Sequence, residues 1–343
     1  MMRLPPFRYL PASSLAEAAR LLADEPGARP VAGGTDLYPK LKRRQLEAET
    51  LVGLRAVPEL RGIELNGGAR IGAGTRLAEL ARSLDVIERY PALARAASLV
   101  ASPQIRNAGT VGGNLCVDTR CNYYDLPYDR RCAHGFCLKA PGGRPEHEVC
   151  RLAPGGDRCW AVSSTDLAPV ASVLGASVRL VSARGERTVP VEALYTTDDG
   201  IRYLTKERDE LVVQLVLPPP DGLRATYLKF RRRGAIDFPL LGVAAAVRTG
   251  EDGTCTEARV VLGAVATSPL RVRSAEEALL GSRLDETAIR EAAEAASRTA
   301  KPMDAVDLPP SYRKRLIATY VARALHELAA RAAILPASTT GGW

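Results

Sequence analysis

Six of the seven cysteines fall between positions 116 and 159, in a stretch with few other means of ordering itself. Residues Cys116–Trp160 carry little hydrophobic periodicity and many Gly, Pro and Arg residues, so neither an amphipathic helix nor an alternating strand is predicted there. A long irregular segment inside a folded chain is uncommon unless it binds something. The N-terminal run MMRLPPFRYLPASS lacks the apolar centre of a secretory signal, so a cytoplasmic location is expected. In a reducing compartment, clustered cysteines point to a metal or cofactor rather than to disulfides. Their spacing alone does not choose between them. Cys121, Cys137, Cys150 and Cys159 are 16, 13 and 9 positions apart, which fits no C-x-x-C zinc or ferredoxin pattern. Four thiolates around Zn²⁺ and reduced, unliganded cysteines both stay open at this point.

On either side of this stretch the chain reads as ordinary globular protein. Of its residues 46% are hydrophobic and 25% charged, and no run approaches the ~20 apolar residues needed to span a bilayer. The net charge of +8 does not bring a nucleic-acid motif with it, and aromatics at 5% are too sparse for base-stacking platforms. The N-terminal 55 residues predict a small β-α-β-like module. Its first helix is capped by Ser13 or Ser14, with Glu17 in the capping-box position. A strand follows that ends in Val31–Leu37, then a helix from about Pro39 and a strand at Thr50–Gly53.

Asn66-Gly67-Gly68 is a strong hairpin signal between strands at Leu60–Leu65 and Ala69–Ile71. Thr75 is expected to cap a helix from Leu77, and another helix spans Pro91 to about Val100. Beyond the cysteines, Leu167–Leu174 reads as helix, with strands at Ala176–Val181, Glu186–Pro190 and Glu210–Leu217. The prolines of Pro218–Asp221 mark the best domain boundary. After it come three antiparallel strands, at Ala225–Arg231, Leu241–Thr249 and Thr256–Ala264. Helices then fall at about Ser274–Leu280, Asp285–Arg298 and Ser311–Ala333. His326, in the last of these, reads as a packing residue.

Two glycine loops could cradle a phosphate: Gly33-Gly34-Thr35-Asp36 at a strand end, and Gly109-Thr110-Val111-Gly112-Gly113-Asn114. Glycine lets the backbone approach an anion closely, and successive N–H groups form a concave nest. Each loop alone is more often a plain turn. Neither fits G-x-G-x-x-G, and Gly72-Ala73-Gly74 lacks the third glycine, so a Rossmann NAD site is disfavoured. For Asp166 the residues themselves offer a helix N-cap before Leu167.

The order of several segments is more specific than either loop. Phe7–Pro11, Leu15–Ala18, Val31–Leu37, Arg106–Leu115 and Ser164–Pro169 together resemble the FAD subunit of the xanthine dehydrogenase and carbon monoxide dehydrogenase family. Glu210–Pro218 and Tyr227–Gly242 extend the resemblance over nearly the whole chain. It implies an α+β fold: a two-part FAD-binding domain of the vanillyl-alcohol-oxidase/PCMH-like type over residues 1–220, and a C-terminal flavoprotein domain over 221–343. The first would comprise subdomains 1–55 and 56–220, the second a three-stranded antiparallel sheet with helices. The resemblance puts Ala32, Gly33, Gly34, Thr35, Asp36 and Leu37, with Gly109, Thr110, Gly112, Gly113 and Asn114, around the FAD pyrophosphate. Asp166 would accept hydrogen bonds from cofactor hydroxyls, and Leu211 and Lys229 would lie near the adenine or isoalloxazine ends.

Most members of that family lack residues corresponding to 116–160. The wording around Leu115–Tyr124, Phe136–Lys139, Val149–Pro154 and Arg158-Cys159 resembles the insertion in one branch, the β subunit of 4-hydroxybenzoyl-CoA reductase. That resemblance implies a [4Fe–4S] cluster held by Cys121, Cys137, Cys150 and Cys159, with Cys116 and Cys132 as extras and Cys255 elsewhere. Ala140–Glu148 is longer than the branch pattern, which keeps His134 and His147 open as substitutes. The implied role is electron transfer from a ferredoxin-like donor through the cluster and FAD to a small [2Fe–2S] subunit and a large molybdopterin subunit, in a dimer of heterotrimers. No catalytic residue for substrate is expected in this chain, and neither are nucleic-acid partners. Two other readings compete: the same scaffold in an ordinary hydroxylase, and a zinc-stabilised scaffold without redox work.

Overall fold

A computed structural model describes residues 3–143 and 148–333. The N-terminal sixty residues form a parallel three-stranded sheet in the order β1 (Arg8–Pro11), β3 (Thr50–Gly53), β2 (Ala28–Val31), with α1 (Leu15–Asp24) and α2 (Leu37–Lys42) as the crossovers. Ser14 caps α1 by accepting from the Glu17 N–H at 3.2 Å, while the Glu17 carboxylate turns back to the N–H and hydroxyl of Ser13. Both serines therefore take part in one start signal. α2 begins at Leu37, two residues before the expected proline, because proline is tolerated in a first helical turn.

The middle of the chain builds a five-stranded sheet in the order β4 (Ile63–Glu64), β5 (Ala69–Gly72), β8 (Leu211–Leu217), β6 (Ser177–Ser182), β7 (Gly185–Pro190). The Asn66–Gly68 hairpin joins its first two strands as expected. Helices α3 (Leu77–Arg82), α4 (Leu84–Arg89), α5 (Pro91–Leu99), α7 (Val111–Leu115) and α9 (Leu167–Val173) contribute to its core, while α6 (Pro103–Ala108) buries no residue and lies against α3. Thr75 is not the cap of α3. Its hydroxyl donates to the Gly62 carbonyl at 3.0 Å, and Glu79 accepts from the Arg76 N–H instead.

The C-terminal sheet has four strands, not three: β12 (Leu270–Arg271), β11 (Cys255–Gly263), β10 (Leu241–Thr249), β9 (Arg224–Phe230). The fourth is only two residues long, pairing Leu270 with Leu262 and Arg271 with Val261, and such a length carries no alternation to read. The unbroken apolar run of β10 is explained by burial on both faces. Ala244 and Ala246 join the core of the middle unit, whereas Val243, Ala245 and Val247 join the core made with α10 (Arg273–Leu279), α11 (Glu286–Thr299) and α12 (Pro310–Ala333). His326 is not a packing residue: it is half exposed, with Nε2 2.8 Å from the Glu286 carboxylate. Among the described residues no helix is long and apolar enough to cross a membrane.

Residues 116–160 stay largely irregular, as their composition implies. Among the described residues they contain one short helix, α8 (Tyr128–Ala133), and isolated bridges such as Arg120 to Val162.

Candidate functional site

The two glycine loops lie side by side. Gly33 sits so close to the end of α6 that a Cβ there would stand 2.0 Å from the Ala108 carbonyl oxygen. Gly34 takes the left-handed conformation, at φ +67°, that turns the chain from β2 into α2. On the facing loop, Gly109 brings its α-carbon next to the Thr35 hydroxyl, 3.5 Å from where a Cβ would be. The backbone N–H groups of Gly33, Gly34, Thr35, Asp36 and Thr110 find no acceptor among the described residues. Thr35 and Gly113 are exposed along the same edge. Converging free amide donors on an accessible glycine edge fit the diphosphate of a dinucleotide cofactor.

Other expected residues are committed to the fold. The Thr110 hydroxyl caps α7 by accepting from the Gly113 N–H at 3.1 Å. Asn114 Oδ1 accepts from the Thr165 hydroxyl at 2.9 Å and from the Leu167 N–H at 3.0 Å, leaving its amide group as donor. Asn114 and Thr165 thereby start α9, so Asp166 does not serve as its side-chain cap. The Asp166 carboxylate accepts instead from the Tyr227 hydroxyl at 2.8 Å and Lys229 Nζ at 3.0 Å, in a fully buried ion pair. Burial pushes the Asp166 carboxyl above its ordinary range, against the pull of Lys229. Leu211 is buried beside Ala12, Val52 and Val57, where the first unit meets the middle sheet. Ala32 and Leu37 flank the first loop, both half-buried.

Cys121, Cys137, Cys150 and Cys159 line one small cavity, and each is less than a tenth exposed. Tyr123, Tyr124, Leu138 and Lys139 complete much of its wall. Burial pushes the Cys121 thiol up to about 11 and the Cys159 thiol to about 12. Such thiols stay protonated at neutral pH, and a metal would have to displace those protons to bind. The three other cysteines lie apart: Cys116 is half-buried, Cys132 is exposed on α8 and Cys255 is buried in β11. His134 is exposed and stands edge-on to the Tyr123 ring, 6.3 Å between centroids. His147 lies outside the described residues. Among the described residues, no three His, Cys, Asp or Glu side chains are grouped so as to hold a single metal ion. Four buried thiols round one cavity are the donor type and number used both by a Cys₄ zinc site and by an iron–sulfur cluster.

Sequence reading missed the charged layer between the cavity and the first glycine loop. Asp118 receives Lys139 Nζ at 2.6 Å, Lys40 Nζ at 2.8 Å and the Tyr124 hydroxyl at 3.0 Å. Burial would raise the Asp118 carboxyl, but Lys139 and Lys40 hold it well below the usual carboxylate range. Arg120 pairs with Asp36 of the first glycine loop, lies 3.5 Å from Asp125 and stacks on Phe238 at 3.9 Å. Charged residues scattered over separate stretches of the chain leave no local pattern, so only tertiary structure brings them together.

The comparisons with known proteins agree with this architecture. Residues 5–220 match the family described as the FAD binding domain in molybdopterin dehydrogenase, and residues 225–328 the CO dehydrogenase flavoprotein C-terminal domain. The chain is 31% identical to the 6-hydroxypseudooxynicotine dehydrogenase complex subunit alpha of Paenarthrobacter nicotinovorans, over 96% of this chain and 97% of that one. It is 30% identical to the carbon monoxide dehydrogenase medium chain of Hydrogenophaga pseudoflava, over 96% and 99%. The solved structure of carbon monoxide dehydrogenase from that organism, lacking the Mo-pyranopterin moiety, superposes with a TM-score of 0.77 at 30% identity, covering 96% of this chain and 99% of that one. The chain therefore belongs to the FAD-binding flavoprotein subunits of the molybdenum hydroxylase family of oxidoreductases.

Proposed function

We propose that this subunit carries a [4Fe–4S] cluster on Cys121, Cys137, Cys150 and Cys159 in addition to FAD, and passes electrons between an external one-electron carrier and molybdenum-bearing partners. The observation that carries the reading is the convergence of these four buried thiols on one cavity, within a segment that has little regular structure. On this reading residues 1–220 form the FAD-binding domain, with 116–160 as the cluster insertion, and residues 221–343 form the second domain. The amide donors of Gly33–Asp36 and Thr110 would hold the FAD diphosphate, with Gly109, Gly112 and Gly113 keeping the facing loop narrow. The flavin supplies one- and two-electron chemistry when bound. The chain's own residues bind, orient and shield; none acts on the substrate.

The finer assignment is the β subunit of a 4-hydroxybenzoyl-CoA reductase, working with a small [2Fe–2S] subunit and a large molybdopterin subunit in a dimer of heterotrimers. A ferredoxin-like donor would feed the cysteine site, and an aromatic acyl-CoA would lose its phenolic hydroxyl on the large subunit. The wording of the insertion supports this assignment. A second reading keeps the FAD scaffold in an oxidative hydroxylase, and its support is that the proteins compared above include carbon monoxide and 6-hydroxypseudooxynicotine dehydrogenases.

Iron, acid-labile sulfide and flavin are to be measured on the purified protein, as isolated and as the Cys121→Ser variant. The expected result is about four irons and four sulfides per flavin, with the variant losing iron but keeping FAD. Stoichiometric zinc without sulfide, or full iron in the variant, would remove the cluster assignment. Turnover of an aromatic acyl-CoA with a reduced low-potential donor, against turnover of an oxidisable substrate with an acceptor, separates the two enzyme readings.

A further inference from the structure

We infer that Arg120 is a positioning residue that couples occupancy of the cysteine cavity to FAD binding at the first glycine loop; this rests on the cluster reading proposed above. Arg120 is the chain neighbour of Cys121, and its backbone pairs with Val162 in both directions at 2.8 Å. Its side chain runs out of the cysteine insertion to the other site. There it pairs with Asp36, the last residue of the loop whose free amide donors would hold the diphosphate. It also reaches Asp125, which accepts from the Cys121 N–H at 3.2 Å.

A single buried guanidinium is thus tied to the backbone of one cysteine and to the carboxylate of the glycine loop. Its freedom to move is small, because Phe238 stacks on it and it is only 8% exposed. Its Nε finds no partner among the described residues, and its two terminal amino groups carry the contacts with Asp36 and Asp125. When the insertion is ordered by a bound centre, Arg120 is presented to Asp36 at a fixed angle and the loop amides are held apart for an anion. When the cavity is empty, Cys121 is released, and the guanidinium's charge is no longer fixed beside the loop. A buried arginine left without this geometry would also leave Asp36 uncompensated. The other ties across the same gap, Asp118 with Lys40 and Lys139, Gln45 with Asp125 and Arg131 with the Arg43 and Arg44 carbonyls, reach α2 and the turn after it but not the glycine loop. Arg120 is therefore the contact through which the two sites sense one another.

Coupling of this kind is reciprocal, since each ligand must change the other's affinity by the same factor. The experiment uses the full-length purified chain, deflavinated, with iron either retained or stripped by oxidant and chelator. FAD is titrated by quenching of its fluorescence. Stripping iron is expected to weaken FAD binding about tenfold in the native chain and by less than about twofold in Arg120→Gln. Conversely, bound FAD should slow loss of iron to a chelator in the native chain but not in the variant. Asp36→Asn alters the pair from the other side and should lose the same coupling, which covers the case in which Arg120→Gln does not fold. Equal FAD affinity with and without iron in the native chain overturns the proposal, as does coupling that persists in both variants. A native chain that isolates with FAD but no iron or sulfide instead overturns the cluster reading itself.

Discussion

Lys229 and Asp166, both expected near the cofactor, form a buried pair that also serves the fold. Lys229 donates to Asp166 and to the Leu99 carbonyl at 3.1 Å, so one ammonium ties β9 to the starts of α9 and the end of α5. Breaking a buried pair by removing one partner leaves an uncompensated charge, whereas removing both charges is far milder. Lys229→Met is therefore expected to lower stability by about 3–5 kcal/mol, and adding Asp166→Asn should recover most of that loss. Urea midpoints of the three proteins check this. If the single variant matches the native protein, the pair carries no structural weight. Tyr227, whose hydroxyl also reaches Asp166, would keep an acceptor in the double variant.

The glycine loops act as paired elements. Gly33→Ala would drive a methyl group against the Ala108 carbonyl, and backbone cannot swing away as a side chain can. The loops must part, at a cost of about 1–3 kcal/mol for overpacking. The expected outcome is protein isolated with much less flavin but with its fold intact, read from the flavin-to-protein absorbance ratio beside circular dichroism. Unchanged flavin content would mean that the two loops need not touch to hold the cofactor. These loops were legible in the sequence because the ordered residues Val31–Leu37 and Arg106–Leu115 are local strings. Regular elements were legible too: β3 and β10 begin and end where their apolar runs do. β12 was not, being two residues long. Nor was the Thr75 role, since its acceptor, Gly62, lies across a hairpin. Arg120, Asp118, Lys40 and Lys139 escaped for a similar reason: each is unremarkable beside its chain neighbours and gains meaning only from charges far away in sequence.

At the scale of the whole molecule, the cysteine insertion is a keystone between units rather than an appendage. Gln45, just after α2, donates to the Tyr124 carbonyl at 2.7 Å, and the Asn122 N–H donates to the Ala305 carbonyl at 2.7 Å. Arg131 of α8 reaches the carbonyls of Arg43 and Arg44. An irregular segment held by so few regular bonds depends on whatever fills its cavity. With the proposed cluster removed, trypsin is expected to cut first at arginines between 116 and 160 while the rest of the chain survives; with the cluster in place those bonds should resist. Equal cleavage in both forms would show that the insertion is ordered by protein contacts alone. The bond from Asn122 to Ala305 sets an order in time as well. Its two ends are far apart in the chain, and such non-local closures come late in folding. On a ribosome, the insertion cannot be tied down at Asn122 until residue 305 has left the exit tunnel, so all four cysteines are made well before that tie can close.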